Sequence, residues 1–93
     1  MTNTLLLIED EPLLGQELSR HYRKSGWDVV LAKSLAEARK LLEEEQLDPL
    51  LILSDMNLPD GNSLDLLEEL KGKLLHSEWL LLTGYGSVQE SVR

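Results

Sequence analysis

Four short runs of uninterrupted apolar residues recur along the chain: Leu5-Leu6-Leu7-Ile8, Val29-Val30-Leu31, Leu50-Leu51-Ile52-Leu53 and Trp79-Leu80-Leu81-Leu82. Each is too short for a helix and is bounded by polar or turn residues, so each is predicted to be a strand. The runs do not alternate between apolar and polar positions. That pattern expects strands covered on both faces.

Segments with helical spacing separate the runs. The first has Pro12 near its start, where a missing N–H costs nothing, then Leu14, Leu18 and Tyr22 on one face, and it ends near Ser25-Gly26. The second opens on a capping box, Ser34-Leu35-Ala36-Glu37, and carries Leu35, Ala38, Leu41 and Leu42 on one face. The third follows Pro59-Asp60-Gly61, carries Leu64, Leu67, Leu70 and Leu74, and stops around Gly72 to Leu75. Strands alternating with helices in this way predict an α/β fold, a parallel sheet wound by right-handed crossovers.

A second capping box, Ser87-Val88-Gln89-Glu90, predicts a further helix, yet only three residues follow Glu90. The pattern therefore expects one domain over residues 1–93, incomplete at its C-terminus, with the fourth strand left as an uncovered edge. Such an edge is expected to pair or swap with a second copy, giving a homodimer.

Composition narrows the function classes. The net charge is −8, from 17 acidic and 9 basic residues, which opposes direct binding of nucleic acid by this chain. There is no cysteine, so a disulfide framework, a thiolate metal site and a cysteine nucleophile are excluded. No stretch approaches a membrane span, and Met1-Thr2-Asn3-Thr4 lacks the basic start of a signal peptide. A cytoplasmic location is expected.

The candidate chemistry lies where the apolar runs end. The first run is followed by Glu9-Asp10-Glu11 and the third by Ser54-Asp55. If the two runs are neighbouring parallel strands, their carboxyl ends bring these carboxylates to the sheet edge where open α/β folds place ligands. Carboxylates that close raise one another's pKa unless a cation neutralises them, and an all-oxygen set suits Mg²⁺. Asp55 can act as a nucleophile that accepts a phosphoryl group. Alone it would read as an ordinary strand-terminal turn residue; with Glu9 and Asp10 beside it the phosphoacceptor reading is favoured. Thr83, before Gly84-Tyr85-Gly86, could donate a hydrogen bond to a phosphoryl oxygen. His21, His76, Trp27 and Trp79 read as structural or solvent-facing residues, and Asp60 as a turn residue.

Three segments together resemble the receiver domain of bacterial two-component response regulators: Leu5 to Glu11, Asp55-Met56-Asn57-Leu58-Pro59-Asp60-Gly61, and Leu80 to Ser87. The resemblance implies a flavodoxin-like sheet in the order 2-1-3-4, with a fifth strand, its lysine and aromatic residue, and a last helix beyond Arg93. It implies Asp55 as phosphoacceptor, with Glu9, Asp10, Asp55 and the main-chain carbonyl of Asn57 holding Mg²⁺, and Thr83 binding the phosphoryl group. It further implies a sensor histidine kinase as donor and an attached effector domain beyond Arg93, of the transcription-regulating kind, with no turnover enzyme in the chain itself. Two alternatives stay open. One is a Mg²⁺-dependent phosphohydrolase with an aspartyl nucleophile, a class that wants a second carboxylate where this chain has Asn57. The other is a docking module that never takes phosphate.

Overall fold

A computed structural model describes residues 3–73 and 76–82, and the main chain of 89–92. In chain order the elements are β1 (Thr4–Ile8), α1 (Pro12–Lys24), β2 (Asp28–Ala32), α2 (Leu35–Arg39), β3 (Leu51–Asp55), β4 (Asn57–Leu58), β5 (Gly61–Asn62), α3 (Ser63–Leu70), β6 (Glu78–Leu82) and β7 (Gln89–Val92). A π-helical turn, Lys40–Glu44, continues α2. The main sheet has the order β2-β1-β3-β6-β7, and its first three ladders are parallel. The four apolar runs are thus β1, β2, β3 and β6, in the predicted order. They pair side by side because each is apolar on both faces and must be covered on both.

The helices form where the sequence signals them. Glu11 caps α1, accepting the Leu13 N–H at 3.0 Å, with Pro12 in the first turn. At the far end Gly26 takes φ +98°, a left-handed conformation that turns the chain back into β2. Ser34 accepts the Glu37 N–H at 3.1 Å, while the Glu37 carboxylate accepts from Lys33, close to the predicted box. Asn62 opens α3 by accepting the Leu64 N–H at 2.7 Å.

Two predicted helix faces need correcting. In α1, Leu14 is 43% exposed, and the sheet is approached instead by Gly15 and Ser19, flanked by the half-buried Leu18 and Tyr22. In α3 the buried stripe is Ser63, Leu66, Leu67 and Leu70, while Leu64 faces solvent; Leu74 lies outside the described residues. Leu64, Leu66, Leu67 and Leu70 offer two overlapping stripes. The burial of Ser63 against the end of β3 selects between them.

The C-terminal expectation is also corrected. Gln89 and Glu90 are not helical: they belong to β7, which runs antiparallel to β6 with Leu82 opposite Gln89 and Trp79 opposite Val92. The outer edge of β6 is therefore paired within the chain, which removes the reason for expecting a second copy to cover it. Pairing with β6 satisfies a ladder of backbone groups that would otherwise stand open along its outer edge.

The sheet divides the core unequally. Leu6, Ile8, Ile52, Trp79 and Leu81 face α2 and α3, and Leu35, Ala38, Leu42, Leu66, Leu67 and Leu70 join them. On the other face the buried set is Leu5, Leu7, Val29 and Leu53, under α1. Trp79 is buried, Trp27 half-buried and His76 exposed, as their sequence contexts predict, whereas His21, expected at the edge of the packed face of α1, is exposed. Among the described residues no helix is long and apolar enough to cross a membrane.

Candidate metal and phosphoacceptor site

The parallel register builds the site. Ile8 pairs with Ser54, so the next residue on each strand, Glu9 and Asp55, emerges at the same carboxyl edge of the sheet. Glu9 is pinned there by its N–H, which donates to the Ala32 carbonyl at 2.9 Å. One carboxylate oxygen from each of Glu9, Asp10 and Asp55 lies within 4.8 Å of the others. Glu9 is buried, Asp55 half-buried and Asp10 exposed, so the cluster is reachable from solvent. Glu11, the third member of the sequence triplet, is used as the cap of α1 instead.

Electrostatics follow from this crowding. Burial first, and then the charge of Asp55 and the side chain and charge of Asp10, hold the Glu9 carboxyl above its ordinary value; the Glu11 N–H, donating to Glu9 at 3.1 Å, opposes them. A cation among the three oxygens would relieve the same repulsion. Hard oxygen donors, one side open and, among the described residues, no nitrogen or sulfur partner fit Mg²⁺ or Ca²⁺ rather than zinc. The residues present therefore fit a divalent-cation site.

The remaining candidates fall as follows. Asn57 stands two residues past Asp55, at the start of a small hairpin in which it pairs with Asn62. Thr83 lies outside the described residues; Leu82 before it is the register partner of Asp55. A depression of about 570 Å³ between α1 and β2, lined by Gln16, Ser19, Arg20, Arg23, Lys24 and Leu31, contains none of the three carboxylates. An acidic cluster on a sheet edge needs no deep pocket, so the size of that depression does not compete with the chemistry.

Two features behind the site are not predicted by the sequence. Asp60 accepts the N–H groups of Leu35 and Ala36, both at 3.0 Å, and so caps α2 from a distant loop. These bonds lower its pKa. Beneath Asp55, the hydroxyls of Ser54 and Ser63 lie 2.6 Å apart, and they reach the Asp55 carbonyl oxygen at 2.8 Å and 2.5 Å. Proline and glycine beside Asp60 signal only a turn, and neither serine carries a motif.

A doubly wound parallel sheet with paired acidic strand ends defines the class: α/β domains that bind a ligand at the carboxyl edge of the sheet. The chain belongs to the response regulator receiver domain family, whose model matches residues 5–93. It is 33% identical over 88 residues to the response regulator protein PilR of Pseudomonas aeruginosa and 31% identical over 88 residues to the transcriptional regulatory protein GlrR of Escherichia coli. Each match covers 95% of this chain and 19% of the relative, so the chain spans about a fifth of their length. A response regulator from Burkholderia pseudomallei, solved with a phosphorylated aspartic acid, a calcium ion and citrate, superposes with TM-score 0.80 at 28% identity, over 92% of this chain and 49% of that one.

Proposed function

We propose that Asp55 is the phosphoacceptor of this receiver domain and that Glu9, Asp10, Asp55 and the Asn57 main-chain carbonyl hold a Mg²⁺ ion beside it. The observation that carries the reading is the convergence of three carboxylate oxygens within 4.8 Å at the ends of β1 and β3. A carboxylate oxygen of Asp55 attacks phosphorus, and an O–P bond forms. The P–N bond to the donor imidazole breaks and its electron pair returns to nitrogen. Bound metal supplies charge neutralisation for the entering phosphoryl group. Asp55 is half-buried, so its outer side stays open to the donor. Thr83 is assigned the hydrogen bond to a phosphoryl oxygen.

The donor is a phosphohistidine of a sensor histidine kinase, and the recipient of the signal is an effector domain joined to the receiver. The name of GlrR supports a transcription-regulating effector. On this reading the chain is a cytoplasmic switch that is modified and reset, not an enzyme turning over a free substrate. The test is incubation with acetyl phosphate and Mg²⁺, read by intact mass. One phosphoryl adduct is expected on the wild-type chain and none on Asp55→Ala. Equal modification of both would overturn the assignment.

A further inference from the structure

Ser54 and Ser63 are both fully buried, one at the end of β3 and the other at the start of α3. Buried hydroxyls are costly unless bonded, and alanine would fill the same space without that cost. Their three oxygen contacts, to each other and to the Asp55 carbonyl, have only two protons to share. One hydroxyl therefore donates to the other, and the other donates to the carbonyl. The arrangement can run in either direction, so the carbonyl keeps a donor both ways.

Ser63 also holds the next peptide, since its N–H donates to the Met56 carbonyl at 2.9 Å. The Met56 N–H in turn donates to the Leu82 carbonyl at 2.9 Å. The two peptide units that leave Asp55 are thus fixed from α3 and from β6 just before the chain reaches Asn57. Rotation of the Asp55–Met56 peptide would swing both the acceptor carboxylate and the Asn57 backbone.

Resting on the phosphoacceptor reading above, we infer that Ser54 and Ser63 are positioning residues, a redundant hydroxyl clamp on the Asp55 carbonyl that aims the acceptor and the adjoining metal-binding backbone. Redundancy separates this role from simple packing. With Ser54→Ala or Ser63→Ala the surviving hydroxyl still reaches the carbonyl; with both replaced, nothing on those two side chains does.

The experiment titrates Mg²⁺ alone into the 93-residue chain and follows the Asp10 and Asn57 amide resonances. Each single variant is expected to weaken Mg²⁺ binding less than about threefold and the double variant at least about tenfold, more than the product of the singles. In metal-free protein, amide exchange at Met56 and Ser63 is expected to quicken in the double variant only. Ser54→Thr with Ser63→Ala restores one hydroxyl and is expected to return both readouts to single-variant levels. Additive losses, or a double variant with wild-type affinity and exchange, would overturn the clamp. Loss of a cooperative melt in the double variant would overturn it too, because the hydroxyls would then be holding the core. Failure of the phosphoacceptor reading looks different: wild type and Asp55→Ala would titrate alike with Mg²⁺.

Discussion

Glu9, between β1 and α1, and Asp60, in the turn between β4 and β5, are carboxylates shifted to opposite sides of their ordinary pKa values. Glu9 is buried next to two other acids, with one backbone N–H as compensation. Asp60 is exposed and accepts two N–H groups at the start of a helix, where a negative charge is favoured. The first carboxylate is kept ionised at a cost that an incoming cation would relieve. The second holds α2 to the loop that follows Asp55.

The difference can be broken or sharpened by substitution. The largest effect is expected at Asp55: Asp55→Asn keeps the shape of the side chain but abolishes phosphoryl labelling, as read by intact mass after exposure to a small phosphodonor. Next, Glu9→Gln is expected to raise the melting temperature of the metal-free chain, because a repelling buried charge is gone, while weakening Mg²⁺ affinity about tenfold or more in a calorimetric titration. A gain in stability together with a loss of binding is the signature that separates a site residue from a structural one. Asp60→Ala is expected to do the reverse, lowering unfolding free energy in urea by about 1 kcal/mol, as for loss of a helix cap, and leaving Mg²⁺ affinity unchanged.

The smallest effect is in pH dependence. The raised pKa of Glu9 means the native metal-free chain holds its proton more tightly than the unfolded chain. Its contribution is fully present below 4.5 and is lost as pH rises through the native value. Asp60 has the opposite sign: its contribution is present above 3.8 and disappears as pH falls through its lowered native value. Metal-free melts across the acid range should therefore lose the upper trend in Glu9→Gln and the lower one in Asp60→Asn. Saturating Mg²⁺ should suppress the upper trend in the wild type, since the ion favours ionised Glu9.

The positions of β1, β3 and the carboxylates after them are legible in the sequence because a strand buried on both faces must be apolar throughout, and the polar residue that ends it marks the sheet edge. Helix faces are less legible. Leu64 and Leu66 are equally apolar, and only the burial of Ser63 beneath the sheet decides which of them turns inward. At Gln89 and Glu90 a local helix signal gives way to a non-local one, the open ladder of β6. Asp60 and the serine pair escape sequence reasoning for a related reason. Asp60 finds its partners 24 and 25 residues away, and the Ser54 and Ser63 hydroxyls meet across nine.

Because β1 and β3 are parallel, their ends meet only after α1, β2 and α2 have been laid between them. In the denatured chain Glu9 and Asp10 are remote from Asp55, hardly repel it and share no grip on an ion. A divalent cation that recognises only the assembled edge acts as a folding ligand, adding about 2.7 kcal/mol when its free concentration is a hundred times its dissociation constant. The free concentration of such a cation would then shift the fraction of these molecules that is native.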